Sequence, residues 1–166
     1  MRKLVIFLMG VLFLAGCGDP KVFETMSDLY YTPEASMAAQ TALQLPENAV
    51  MAVAGSEEIG RIYLCDGYTV ALQTLDAGNL DATLRSVTGY SRQNLQLLQR
   101  QEGNLARYEC AWVSAGEGGD QVARTVILDD GAYHYTLTVM GSADQAGKLA
   151  SVWQEITESF TLRTGA

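Results

Sequence analysis

The sequence is poor in histidine and in basic residues. It contains a single histidine, His134, and 11 lysines and arginines against 19 aspartates and glutamates. One histidine excludes metal sites built from several imidazoles and allows at most one histidine-centred catalytic triad. The net charge of −8 repels phosphate groups, so we expect no binding to nucleic acid. An acidic surface suits a basic partner, although the same charge also keeps a protein soluble.

Motifs that hold a nucleophile, a phosphate or a metal ion are also missing. The chain has no G-x-S-x-G sequence, and the glycine-rich residues 116–119 precede strand-like residues rather than a helix and a lysine. The Asp129-Asp130-Gly131 stretch lacks the alternating ligands of a calcium loop and is typical of a tight turn. His134 lies between two tyrosines in a predicted strand, where we expect a structural or surface histidine. We therefore predict no catalytic residue, no metal site, no cofactor and no enzymatic activity.

No apolar run is long enough to cross a membrane as a helix. The longest run covers residues 4–15 and is shorter than the ~20 residues that a spanning helix needs. Arg2 and Lys3 precede this run, and the small residues Ala15 and Gly16 stand immediately before a cysteine. A basic start, a short apolar segment and small residues at a cleavage point are typical of a signal peptide.

The residues Leu14-Ala15-Gly16-Cys17 resemble the lipobox of bacterial lipoproteins. This resemblance implies cleavage before Cys17, which would then carry two or three acyl chains and hold the protein permanently at a membrane. It also implies a place in the bacterial cell envelope, facing the periplasm. Gly18 slightly favours the outer membrane, because enterobacterial lipoproteins that stay at the inner membrane have an aspartate at that position. Asp19 follows one residue later and leaves the inner membrane open under other sorting rules. We expect three segments: a signal peptide over residues 1–16, a tether over residues 17–23 and one domain over residues 24–166.

The remaining cysteines, Cys65 and Cys110, both lie in predicted strands. If lipid occupies Cys17, these two form a pair in a compartment that permits disulfides. We predict a disulfide between them, with two buried free thiols as the alternative. The chain has no C-x-x-C sequence and no basic residue beside either cysteine, so redox catalysis is not expected.

The first half of the mature chain predicts a helix followed by strands. Thr-Pro-Glu at residues 32–34 suits the first positions of a helix, and the alanine-rich residues after it predict a helix near residues 33–44. Asp66-Gly67 lies between two β-rich segments and predicts a hairpin. A short helix is expected to end at Gly89. The predicted strands of this half are residues 49–54, 59–65 and 68–75.

The second half predicts an antiparallel meander that ends in a helix. His134 is expected to point away from the tyrosines on either side of it, which is the pattern of a sheet with one covered face. Ser142 and Gln145 are spaced as a capping box ahead of an apolar helical stripe, and residues 159–162 can add a final strand. The predicted strands of the meander are residues 95–101, 105–113, 121–128 and 132–140.

Two stretches of this half carry a family resemblance. They are Ile-Leu-Asp-Asp-Gly-Ala-Tyr-His-Tyr at residues 127–135 and a helix running from Trp-Gln-Glu-Ile into Glu-Ser-Phe at residues 153–160. Together they resemble the PsbP-like, or DcrB-like, superfamily over residues 47–162. The resemblance implies an α+β fold in which an antiparallel β-sheet meander is covered by helices. It also implies a binding or assembly factor rather than an enzyme.

We therefore expect a non-enzymatic binding or assembly factor of the cell envelope. Its contacts would be a membrane, through lipid on Cys17, and an envelope protein. The alternative is a periplasmic inhibitor or immunity-type protein that binds a basic enzyme or toxin, since the chain is acidic.

Overall fold

The computed structural model describes residues 38–52, 60–115 and 118–163. Within these ranges the chain forms nine strands and two α-helices, numbered here in chain order. The strands are β1 (Thr41–Ala42), β2 (Val50–Ala52), β3 (Arg61–Cys65), β4 (Tyr68–Asp76), β5 (Leu98–Glu102), β6 (Leu105–Ser114), β7 (Gln121–Asp129), β8 (Tyr133–Ser142) and β9 (Thr161–Leu162). The helices are α1 (Leu80–Thr88) and α2 (Ala146–Ser159).

Seven strands form one antiparallel sheet in the order β2-β3-β4-β8-β7-β6-β5. Two meanders, β2 to β4 and β5 to β8, are joined by the nine-residue pairing of β4 with β8. Asp66-Gly67 forms the predicted turn between β3 and β4. Gly67 has a φ of 81°, a left-handed conformation that glycine adopts without the steric cost of a Cβ atom. The predicted fold class, an antiparallel sheet with helices, is confirmed.

The predicted strands are present, with ends displaced by a few residues. The largest change is at β5, which begins at Leu98 rather than at residue 95 and follows a turn of 3₁₀-helix at Arg92–Asn94. Residues 55–58, between the first two predicted strands, and the first half of the glycine-rich residues 116–119 lie outside the described ranges.

Strand β8 shows how the two faces of the sheet are covered. Tyr135 and Leu137 point to the face that packs against α2, whereas His134 points to the face that packs against α1. We call these the α2 face and the α1 face. Because β8 is central and helices lie on both faces, most of its side chains are buried, where the sequence predicted one covered face. The buried cluster on the α2 face comprises Tyr68, Val70, Leu72, Val126, Leu128, Tyr135, Leu137, Val139, Trp153, Ile156 and Phe160.

Helix α1 begins and ends with polar and glycine caps. The Asn79 side chain accepts a hydrogen bond from the backbone N–H of Asp81 at 2.9 Å. Gly89 has a φ of 79° and donates its N–H to the carbonyl of Arg85. The predicted end of this helix at Gly89 is confirmed.

The predicted capping box before α2 is wrong. Ser142 is the last residue of β8, four positions before the helix begins at Ala146, and its hydroxyl donates to the Asp144 carboxylate. Gln145 has helical backbone angles, and its side chain makes no capping hydrogen bond. The strand runs on further than expected, so the serine is too early in the chain to cap the helix.

The C-terminal end of α2 is held by a buried cation on β6. Arg107 donates to the backbone carbonyls of Thr157 at 2.6 Å and Phe160 at 3.0 Å. Its third contact is with a carboxylate oxygen of Glu109 at 2.7 Å. The last carbonyls of a helix lack partners within the helix and carry the negative end of its dipole. A cation here therefore supplies the missing hydrogen-bond donors and also interacts favourably with the dipole.

The helix predicted near residues 33–44 is not supported by the residues that are described. Residues 33–37 lie outside them, and Thr41–Ala42 forms β1, which pairs with β9 in a separate two-stranded sheet. The backbone of Gln40 accepts from the N–H of Arg163, and the backbone N–H of Ala39 donates to the Tyr135 hydroxyl. Residues distant in sequence thus form hydrogen bonds with this segment in an extended conformation. These tertiary contacts override the local helix propensity.

Candidate functional site

The predicted lipid site lies outside the described residues. Cys17, the signal peptide over residues 1–16 and the tether over residues 17–23 all precede residue 38, so lipid attachment stays a prediction. Among the residues that are described, no helix combines the length and the apolar character needed to cross a membrane.

Cys65 and Cys110 do not form the predicted disulfide, and both are free thiols. Cys65 in β3 packs against the cluster on the α2 face, whereas Cys110 in β6 belongs to a small cluster on the α1 face. Four strand spacings separate β3 from β6, which is about 19 Å, and a disulfide needs Cα atoms within about 7 Å. Burial raises the pKa of Cys110 to about 11, so this thiol is a core side chain rather than a nucleophile.

His134 is buried between α1 and the sheet. Its side chain is 2% exposed, and its Nδ1 atom lies 2.7 Å from the hydroxyl oxygen of Thr83 on α1. Its Nε2 atom lies 3.5 Å from a carboxylate oxygen of Asp129, the residue opposite it on β7. A hydroxyl, an imidazole and a carboxylate therefore meet, but Thr83 is itself buried and gives a substrate no access. The arrangement ties α1 to the sheet.

The predicted turn at residues 129–131 is confirmed, and its carboxylates accept hydrogen bonds that stabilise the turn. Asp130 accepts hydrogen bonds from the backbone N–H groups of Ala132 at 2.9 Å and Tyr133 at 2.7 Å. It also accepts one from the Tyr135 hydroxyl at 2.8 Å. Burial alone would raise the pKa of Asp130, but these hydrogen bonds hold the pKa below its usual value. No group of three or more potential metal ligands occurs in the part of the chain that the structure describes.

Three large apolar side chains are exposed together on the outer strands β2 and β3. Val50 is 64% exposed, Leu64 50% and Ile62 36%. Val50 pairs with Leu64, and Ile62 lies two residues before Leu64 on the same strand, so all three point to the α1 face. Helix α1 covers the other half of that face, where it packs on β6 and β7. We call these three residues the outer-strand patch.

A pocket of about 300 Å³ lies at the opposite side of the sheet, where β5 begins against β6. It is lined by Leu98 of β5, Ala111 of β6 and Arg124 of β7, and by Thr157 of α2. The pocket is therefore on the α2 face, beside the end of α2 that Arg107 holds.

The sequence predicted neither surface. A signal for the outer-strand patch exists, because residues 62–65, Ile-Tyr-Leu-Cys, are apolar at four consecutive positions. Such a run is typical of a strand with apolar side chains on both faces. The pocket has no comparable signal, since it depends on where β5 starts relative to β6 and on the position of α2 above them.

Comparisons with known proteins show similarity at the level of structure. No protein-family model and no curated protein matches the chain. The solution structure of cyanobacterial PsbP (CyanoP) from Synechocystis sp. PCC 6803 has a TM-score of 0.55 at 10% identity, over 74% of this chain and 86% of that chain. A crystal structure from Bacteroides thetaiotaomicron has a TM-score of 0.51 at 10% identity, over 75% of this chain and 45% of that chain.

A third similar structure is LpqN, which is involved in cell envelope biogenesis of Mycobacterium tuberculosis. Its TM-score is 0.49 at 14% identity, over 76% of this chain and 85% of that chain. At identities this low the similarity shows the fold alone, because one fold serves many functions. The similarity to CyanoP and the sheet order together show that the chain has a PsbP-like fold, an antiparallel sheet with helices on its faces.

Proposed function

We propose that the protein is a lipid-anchored binding or assembly factor of the bacterial cell envelope, without enzymatic activity. Lipid on Cys17 would hold it at a membrane, facing the periplasm, where the folded domain captures a partner protein. The observation that carries this proposal is the outer-strand patch.

The outer-strand patch has the character of a contact surface. Val50, Ile62 and Leu64 lie side by side on paired strands, so the sheet fixes their positions before any partner arrives. Apolar side chains exposed as a group, rather than singly, are typical of surfaces that another molecule covers. Fully burying one such side chain is worth about 1.5–3 kcal/mol relative to leaving it in water, so covering the patch favours association.

The charge of the chain favours a protein over lipid as the molecule that covers the patch. A net charge of −8 repels the anionic headgroups of a membrane surface. A protein with basic residues around an apolar centre would be attracted to the same surface, and its approach would be accelerated. We therefore expect a partner protein with a basic rim.

The position of the single histidine supports binding without catalysis. His134 is enclosed by Thr83 of α1 and Asp129 of β7, and its role in that place is to hold the helix on the sheet. A general base must reach the proton that it removes, and His134 is shielded from any bound substrate.

Photo-crosslinking from the outer-strand patch tests this function in cells. A crosslinking amino acid at Leu64 is expected to give a discrete adduct with one envelope protein. The substitution Val50→Asp, which places a charge beside Leu64, should abolish that adduct. The same crosslinker at Arg85, on the exposed side of α1, is the matched control and should not give it.

Two results would contradict the proposal. One is an adduct with lipid alone, and the other is the same set of adducts from positions 64 and 85. An adduct with a cationic hydrolase or toxin whose activity the protein blocks would favour the second function, an inhibitor or immunity-type protein, to which the net charge of −8 is equally suited.

A further inference from the structure

Strand β6 extends beyond its neighbour β5 and leaves part of its edge unpaired. The five residues of β5 pair with residues 105–109, but β6 continues to Ser114. Within the described ranges no other strand pairs with residues 110–114 on that side. An unpaired edge of this kind is a template to which another extended chain can add.

The hydrogen-bond pattern shows which backbone groups of this edge point outward. A two-residue turn, residues 103–104, joins β5 to β6, so Leu105 belongs to a hydrogen-bonded pair with β5. Every second residue of β6 directs its N–H and C=O to the same side, so Ala111 and Val113 direct theirs away from β7. The Tyr90 hydroxyl confirms this direction, because it donates to the carbonyl of Val113 at 2.5 Å.

The pocket of about 300 Å³ lies directly beside these outward groups. Ala111 contributes only a methyl group to the lining, which also includes Thr157 of α2 and residues 96–98, where the chain enters β5. Val113, two residues further along the edge, is 47% exposed. A strand added to this edge would therefore place one side chain of its α2 face in the pocket.

Arg124 supplies positive charge at the rim of the pocket. It lies opposite Ala111 in the register of β6 and β7, is exposed, and makes no ion pair with any residue that the structure describes. Glu109, the other charged residue of the lining, is already paired with Arg107. The rim of the pocket thus carries a positive charge on a chain whose net charge is −8, which favours a carboxylate as the group that contacts Arg124.

We propose that the open edge of β6 binds an extended peptide segment of another protein by strand addition. The backbone of the peptide pairs with Ala111 and with the N–H of Val113. An apolar side chain of the peptide fills the pocket, and a carboxylate two residues away reaches Arg124, because alternate residues of a strand share a face. This peptide site is at the opposite side of the sheet from the outer-strand patch and does not depend on it.

A display selection of random decapeptides tests the site. The target is the mature protein, made in its host cell and purified from membranes in detergent. We expect binders with an acidic residue two positions from an apolar one. The substitution Val113→Pro removes the outward N–H and leaves the β6–β7 hydrogen bonds intact. It should weaken a selected peptide about tenfold, the loss expected for one hydrogen bond and a disturbed edge. Val113→Thr keeps the N–H and should bind as the unchanged protein does.

Two further measurements do not alter the backbone. Arg124→Gln should weaken a peptide that carries glutamate and leave its glutamine counterpart unaffected. Hydrogen exchange at the amides of Ala111 and Val113 should slow when the peptide binds. A library without binders, or binders that a folded Val113→Pro variant retains, would overturn the proposal. Leu64→Asp should leave peptide binding unchanged, which separates this site from the proposed function.

Discussion

Arg107 is a single residue on which the seating of a whole helix depends. Arg107→Met keeps the length of the side chain and removes its three donors to Thr157, Phe160 and Glu109. We expect the free energy of unfolding to fall by about 2–4 kcal/mol, because buried carbonyls lose charged partners. Urea unfolding followed by circular dichroism measures the change.

Arg85 provides the matched control for this prediction. It pairs with Asp81 one turn away on α1 at 2.9 Å, but its side chain is largely exposed. Arg85→Met should lower the free energy of unfolding by less than about 1 kcal/mol. Equal losses for the two variants would show that burial and the helix end contribute nothing to the role of Arg107.

The burial of polar residues such as Arg107 and His134, and the partners that they contact, cannot be predicted from the sequence. The Thr157 carbonyl lies 50 positions from Arg107, and the Thr83 hydroxyl lies 51 positions from His134. Nothing local distinguishes these side chains from exposed ones, because their partners are brought to them only by the packing of helices on the sheet. The alternation of the strand gave the face of His134 correctly, but not its burial.

At the scale of elements, local signals predicted the hairpins and the sheet but not the N-terminal segment. The turn at Asp66-Gly67 and the end of α1 at Gly89 depend on neighbours in the chain, and both are confirmed. The segment at Thr41–Ala42 depends instead on β9, some 120 residues away, and its predicted helix is wrong. Local propensity determines where turns and helix ends occur. Tertiary pairing determines the conformation of a weakly apolar segment.

Helix α2 packs closely on the sheet because Gly141 of β8 has no side chain. A Cβ atom at Gly141 would lie 3.0 Å from the Gly67 carbonyl oxygen and 3.1 Å from the ring of Trp153. Gly141→Ala is therefore expected to push the helix from the sheet and to lower the free energy of unfolding by about 1–3 kcal/mol. Thermal and urea unfolding measure the loss.

Gly147, in the first turn of α2, is the control for the substitution at Gly141. A Cβ atom there would meet nothing within 4 Å. Gly147→Ala should raise the free energy of unfolding by about 0.5–1 kcal/mol, because alanine favours the helix and restricts the unfolded chain. A loss at Gly147 equal to that at Gly141 would mean that close packing on Trp153 is not the cause.

At the scale of the whole molecule, the sheet presents different surfaces at its two opposite sides. The outer-strand patch presents apolar side chains on β2 and β3, and the edge of β6 presents backbone groups with a positive rim. The same sheet separates Cys65 from Cys110 by four strand spacings and places them on opposite faces. Counting cysteines in the sequence suggested a pair, but strand order and face are properties of the assembled sheet and exclude it.

The free thiols leave lipid attachment at Cys17 as a separate prediction with a direct test. A serine at position 17 lacks the thiol that would carry the lipid, so Cys17→Ser should lose labelling by an alkyne analogue of palmitate and should lose its acyl-dependent hold on membranes. Cys65→Ser, which changes a cysteine of the folded domain in the same way, should keep the label and the membrane fraction. Labelling of Cys17→Ser at the level of the unchanged protein would mean that another residue carries the lipid, and the lipobox interpretation would be wrong.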